Sequence, residues 1–298
     1  MSGFKEWPQL SHAQDYCIYP ENITEHLSID EVSLSKGELY TFVTNKNSNC
    51  KHKKSVVAVI NGTEAQTIQE VLEKITIQAR EKVKEVTMDM ARNMGLAAQH
   101  SFPNCVKVID RFHVVKLVLD ALQHLRVKLR WEAIDAENTA IKDAKNKNEK
   151  HIPEVLSNGD TLKELLARSR YLLYKTKEDW TLNQAKRAAL LFTKYPVLEK
   201  AYKLSLEFRA IYKLTTKQAA KQTFIQWKQK VESCEIKEFN SCVNSLEYHL
   251  ENILNFFENR TTNANAESFN SKIKNFRSNL RGVTDVNFFL FRLQKLFA

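Results

Sequence analysis

The sequence predicts an α/β fold, a mixed five-stranded sheet with flanking helices that is interrupted by a long all-helical stretch. Three observations predict it. Short β-rich runs crowd the first third of the chain. From about Val114 to Phe257 the apolar residues recur at helical spacing, with no convincing strand. A late helix then presents an apolar stripe that needs a sheet to cover it. Composition agrees: the 298 residues are 43% hydrophobic and 27% charged, with 6 Gly and 5 Pro, which suits a helix-rich globular chain.

Taken in order, "LSIDEVSLS" (27–35), "ELYTFVTN" (38–45) and "KSVVAVIN" (54–61) are strands at hairpin-like spacing and form an antiparallel meander. A helix follows, with Ile68, Val71, Leu72 and Ile75 on one side. "EVTMDM" (85–90) is a fourth strand, "ARNMGLAAQHSF" a helix ending at Pro103, and "CVKVID" (105–110) a fifth strand. Strands reached through helices lie parallel, so the sheet is mixed. A long helix starts near Phe112, "SNGD" (157–160) is a turn, and helices cover 161–175, 181–194, 196–213, 216–232 and 237–257. Thr181, Pro196 and Thr215 stand at their starts as cap or first-turn residues. In the late helix Phe269, Ile273, Phe276 and Leu280 make the apolar stripe, while Asn263, Glu267, Asn270, Lys274 and Arg277 share another face. A last short helix is "DVNFFLFRLQKLFA". Because the late helix needs the sheet, the roughly 140 helical residues before it read as an insertion in one fold.

The net charge of +10, from 45 basic and 35 acidic residues, suggests a polyanionic partner. Five cysteines, at 17, 50, 105, 234 and 242, form no C-x-x-C pair and suit a reducing compartment better than a disulfide framework. Cys50 and His52 are the one near pair, which is poor for zinc. No apolar run is long enough to span a membrane, and the N-terminus has no signal-peptide core.

Three acids stand out. Asp30 lies in the first strand, Asp89 ends the fourth, and Glu267 is the acid on the polar face of the late helix. In a sheet of this order the first and fourth strands are commonly neighbours, so their acids could meet at one edge. Gathered carboxylates repel unless a cation neutralises them, and hard oxygen ligands suit Mg²⁺. Two such ions could clamp an in-line phosphoryl displacement. An Asp at a strand end also serves as a turn or helix cap, and a lone helix Glu as a solvated charge. "DRFH" follows the fifth strand: Asp110 suits a helix N-cap, and with His113 it could buttress the acids or contact phosphate. Lys272, Lys274, Arg277 and Arg281 follow Glu267 and could hold DNA backbone, or be a solvated basic face. Trp131 and Trp180, in the helical stretch, suit core packing or stacking on an unpaired base.

Together "VTMDMARNM", "SFPNCVKVIDRFHVVKL", "TTNANAESFNSKIKNFRSNLRGV" and "FFLFRL" resemble the DDE transposases of bacterial insertion sequences, of the ISL-three family and its Aon-like subgroup. The likeness runs the length of the chain, with several separated motifs in the right order. It implies a ribonuclease H-like, retroviral integrase-type core at 27–115 and 258–298, an all-helical insertion at 116–257 and an N-terminal extension at 1–26. It implies Asp30, Asp89 and Glu267 as the catalytic and metal-binding triad for two Mg²⁺ (or Mn²⁺) ions. Asp110 and His113 match the D-x-x-H signature, with Arg111 beside the DNA. The implied activity is cleavage at transposon ends and 3′-OH transfer into target DNA, in the bacterial cytoplasm at the nucleoid, by a dimer at synapsis. One departure is that family members usually carry an N-terminal zinc and helix-turn-helix region, whereas this chain begins about thirty residues before Asp30. A separate protein carrying that region is the expected partner. A non-catalytic DNA-binding remnant, or another nuclease on the same fold, are the alternative readings.

Overall fold

In the computed structural model the described residues are 3–34, 37–46, 55–260, 264–279 and 285–298, with backbone alone described at 264–268. By contact the chain divides into two compact units, Met1–Val114 with His249–Ala298, and Val115–Tyr248.

The first unit is built on a mixed sheet of β1 (Tyr16–Ile18), β2 (His26–Ser33), β3 (Leu39–Asn45), β4 (Val56–Asn61), β5 (Glu85–Met88) and β6 (Val106–Ile109). Helices α1 (Ala65–Leu72), α2 (Ile77–Arg80) and α3 (Arg92–Ser101) fall between the later strands. The spatial order is β1-β4-β3-β2-β5-β6. β2, β3 and β4 form the antiparallel meander, and β2–β5 and β5–β6 pair in parallel. The hairpin between β2 and β3 turns through Gly37 at φ +79°, a left-handed conformation that costs glycine little.

Among the described residues the sheet has six strands rather than the five expected. The extra one, β1, pairs antiparallel with β4 through Tyr16↔Ile60, Cys17↔Val59 and Ile18↔Ala58. Three residues are too few for alternation to announce a strand. It matters to the core: Trp7, Ala13, Cys17 and Tyr19 are buried with Val32, Phe42 and Val59 of the sheet.

Over the same cluster lie α12 (Ala264–Asn279) and α13 (Val286–Phe297). Phe269 and Ile273 of α12 are fully buried there, Phe276 is partly buried, and Leu280 lies outside the described residues. The Phe269 ring meets Phe42 edge-on at 6.4 Å and Phe297 at 5.1 Å. Each such side chain stabilises the fold by about 1.5–3 kcal/mol.

Between β6 and α12 run α4 (Arg111–Asn146), α5 (Leu162–Arg168), α6 (Leu182–Lys194), α7 (Pro196–Ile211), α8 (Lys217–Cys234), α9 (Asn240–Tyr248), α10 (Leu250–Leu254) and α11 (Phe256–Asn259). The starts follow capping chemistry. Thr181 and Gln184 form a reciprocal capping box and Pro196 opens α7. α8 is capped by Thr216, whose hydroxyl accepts from Ala219 N at 3.2 Å, rather than by Thr215. The helix expected over 237–257 is three helices after a 3-10 turn, with a break at His249 (φ −99°, ψ 7°). Among the described residues no helix is long and apolar enough to cross a membrane.

Candidate active site

The acids come together through strand register. β2 and β5 pair as His26↔Glu85, Leu27↔Val86 and Ser28↔Thr87. Two residues beyond the last pair, each strand carries its acid, Asp30 and Asp89. Parallel neighbours keep their register, so the two side chains leave the same face at the same end of the sheet.

Asp30 is half-buried. Its Oδ1 accepts from Glu31 N at 2.9 Å, and its Oδ2 accepts a short hydrogen bond from the Asn270 side-chain amide. Burial pushes the Asp30 carboxyl above its usual range, and the charge of Asp89 adds to this. His113, the Glu31 amide and Asn270 act in the opposite direction. Asp89 is half-exposed, and its Oδ1 accepts from Ala91 N at 2.9 Å in a turn that leads into α3.

Asn270 stands three residues after Glu267 on α12, on the same helix face. The helix that carries Glu267 is thus tied to Asp30, while the Glu267 side chain itself lies outside the described residues. Among the described residues no three His, Cys, Asp or Glu side chains gather as an ion site. The donor chemistry of Asp30 and Asp89 nevertheless fits a hard divalent cation, which would relieve two carboxylates that disfavour each other's charge.

Other expected residues separate. His113 is half-buried beside Asp30. Asp110 is buried, its N–H bonds Met88 O at 2.8 Å, and its carbonyl starts α4 by accepting from Val114 N at 3.3 Å. The Asp110 carboxylate acts electrostatically on Lys46. Arg111, Lys272 and Lys274 are exposed, and Arg281 lies outside the described residues. Arg277 is buried inside the fold. Its Nε and Nη2 donate to both Glu38 oxygens at 3.0 and 2.6 Å, and its guanidinium lies 5.0 Å from the Phe289 ring centre. Arg277 therefore holds α12 to the start of β3 and is not part of an exposed basic face. Trp180 donates Nε1 to Leu172 O at 2.8 Å and stacks on Tyr202, a packing role, whereas Trp131 is 58% exposed.

Sequence reasoning missed a polar seam behind the acids. Ser28 leads to Asp30 on β2, and Glu85 and Thr87 lead to Asp89 on β5, each at a period of two. Lys46 Nζ bonds Thr87 Oγ1 at 2.6 Å and Glu85 Oε1 at 3.2 Å, and Asn259 Nδ2 bonds Glu85 Oε2 at 3.1 Å. The signal was the alternation of polar residues inside an apolar strand. His249 was also missed. Burial lowers its imidazole from the ordinary value and the Asp89 charge opposes this, so it stands within electrostatic reach of the second acid. Nothing local to His249 marks it.

The mixed sheet thus sets two carboxylates side by side on adjacent interior strands, with α12 hydrogen-bonded to one of them. A family model described as Transposase, covering the ISL-three DDE type, matches residues 27–293, and the chain belongs to that family. The chain is also similar to the "Transposase for insertion sequence element IS1001" of Bordetella parapertussis, at 23% identity over 273 residues. That match covers 92% of this chain and 61% of the relative, so the chain spans about three fifths of the relative's length. No solved structure matches it.

Proposed function

We propose that this chain is the catalytic part of a DDE transposase, with a ribonuclease H-like core formed by 27–115 and 258–298 and a helical insertion at 116–257. The observation that carries the reading is the placing of Asp30 and Asp89 at adjacent parallel strand ends, with α12 joined to Asp30 through Asn270. In this reading Asp30, Asp89 and Glu267 hold two Mg²⁺ or Mn²⁺ ions. When bound, such ions supply Lewis-acid stabilisation of attacking and leaving oxygens.

The chain's own groups do the rest. The Asn270 amide fixes one Asp30 oxygen so that the carboxylate keeps a single orientation. His113 offsets the charge of Asp30 from the side of α4. Lys272, Lys274, Arg281 and Arg111 grip backbone phosphates and set the strand's register without reading its sequence. Water then attacks a phosphodiester at the transposon end, whose 3′-oxygen leaves as a free 3′-hydroxyl, and that hydroxyl attacks a phosphodiester of the target DNA, whose own 3′-oxygen leaves in turn. Two copies synapse the two transposon ends.

Asp89→Asn keeps the turn to Ala91 but removes the charge, and Glu267→Gln does the same on α12. Both are expected to lower Mg²⁺-dependent nicking by on the order of a thousandfold, from several kcal/mol of lost transition-state stabilisation, with DNA affinity retained. Wild-type nicking by either variant removes that residue from the mechanism.

A further inference from the structure

Helix α4 carries two apolar faces. One is the core face of the helical unit. Val118, Leu122 and Leu125 are buried there, and Leu129, Ala133 and Ala140 continue the same side, partly buried, toward the helix end. The other face has no cover. Val127, Trp131, Ile134, Asn138 and Ile141 follow one another at alternating spacings of four and three residues. Trp131 is 58% exposed, Ile141 44% and Val127 38%, and Ile134 is half-buried. A helix of a globular unit needs one apolar stripe, and a second, open one marks a contact surface.

The spacing is that of a heptad repeat, with Val127, Ile134 and Ile141 at d and Trp131 and Asn138 at a. An Asn at an a position sets the register of two paired helices, because its amide finds a partner only in the matching Asn. The flanks agree. Arg130 and Glu137 fall at g, and Asp135 and Lys142 at e. In a parallel pair each g residue meets the next e residue of the other helix. Arg130 then meets Asp135 and Glu137 meets Lys142, opposite charges both times. In an antiparallel pair g meets g and e meets e, which sets Glu137 against Glu137 and Asp135 against Asp135. Asp135 and Lys142 are exposed, and Arg130 Nε has no hydrogen-bond partner among the described residues. Within the unit Glu137 is held by Lys163 of α5 at 2.8 Å and Lys128 by Glu238 at 2.9 Å. These ties stand on the two flanks of the stripe and leave it open between them.

We propose that a second copy of this chain docks on this stripe, α4 against α4, in a parallel two-helix seam from Val127 to Ile141. The seam is about 21 Å long. An isolated coiled coil of that length is marginal, but here the fold already holds the helix. The expected product is a weak, reversible dimer with an interface below the standard size. This gives a surface to the pairing of two copies proposed above, and it depends on neither the acids, nor metal, nor DNA.

The test is sedimentation velocity of the full chain, without DNA and in EDTA, over a concentration series. The wild-type chain is expected to pass from monomer to dimer with a midpoint on the order of 10 μM. Trp131→Glu/Ile141→Glu is expected to raise that midpoint at least about tenfold, and Asn138→Leu to lower it about tenfold. Arg130→Glu and Asp135→Arg each set like charges at the g and e places and are expected to weaken the dimer about tenfold. An equimolar mixture of these two variants restores opposite charges in both pairs and is expected to recover wild-type association. Thermal melting checks that each variant folds. Asn138→Leu and Asp135→Arg change exposed positions, so they decide the matter even where another variant does not fold. A wild-type chain that stays monomeric to roughly 300 μM overturns the proposal. So does a mixture no better associated than its components. A dimer that none of these changes moves overturns it too, while leaving the synapsis of two copies and the acid site standing.

Discussion

Removing Arg277 or Glu38 decides whether the most buried base of α12 serves the fold or the substrate. The Arg277 side chain is 4% exposed and that of Glu38 16%, and they share two hydrogen bonds at 3.0 and 2.6 Å. Breaking a buried pair by deleting one partner costs about 3–5 kcal/mol, because the other charge is stranded. Glu38 keeps some water, so the lower end applies, and Arg277→Ala is expected to lose about 3 kcal/mol. Its contact with the Phe289 ring contributes about 0.5–1 kcal/mol of this. Glu38→Ala leaves the guanidinium buried and costs a similar amount. The double variant strands neither charge, so its loss is expected to be near 4 kcal/mol, a coupling of about 2 kcal/mol. Urea unfolding followed by circular dichroism reads this: at a slope of about 3 kcal/mol/M, each single variant moves the midpoint by about 1 M. A coupling below about 0.5 kcal/mol refutes the reasoning. So does an Arg277→Ala protein with an unmoved midpoint and a shallower salt dependence of DNA binding.

Two further outcomes are expected. Phe269→Ala opens a cavity between α12 and Phe42 and should cost about 3–5 kcal/mol in the same unfolding assay, while a solvent-facing Lys272→Ala on the same helix should stay within about 0.5 kcal/mol. Burial raises the Asp160 carboxyl, but Arg168 and Arg187 outweigh it and hold it below the usual carboxylate range. A depressed pKa contributes stability above the unfolded value of about 3.9 and loses it as pH falls through the folded value, so the stability gap between wild type and Asp160→Asn should be widest above about pH 4 and close below it.

The five longer strands were legible because each alternates or runs apolar over at least four residues, and their order followed from which connections were hairpins and which were helices. The meeting of Asp30 with Asp89 was legible for the same reason: topology makes β2 and β5 neighbours, and both acids lie just past the last paired residues. Arg277 was misread because on a helical wheel it continues the face of Asn270 and Lys274, and nothing within α12 reveals Glu38, 239 positions away. Tertiary partners also explain His249, whose relation to Asp89 crosses the whole helical stretch. Thr216 displaced Thr215 as the α8 cap because adjacent threonines offer the same chemistry, and only backbone geometry chooses between them.

The seam behind the acids explains how their meeting is secured. A buried ion pair such as Lys46–Glu85 is a poor source of net stability, since desolvation offsets most of the attraction. Its value lies in specificity. Lys46 comes from the end of β3, and Glu85 and Thr87 come from β5, so the lysine bridges across β2, which lies between them. A slip of β5 by one residue would turn Glu85, Thr87 and Asp89 together to the opposite face, leaving Lys46 buried without its partners. Asn259 adds a tie from α11, just before the chain enters α12, to the same Glu85 carboxylate. Apolar pairing alone would tolerate such a slip more easily, because Val86 and Met88 on the other face are as buried as their neighbours. The register that sets Asp89 beside Asp30 is therefore enforced by a polar contact four residues upstream of the acid, and the approach of α12 is anchored to the same group.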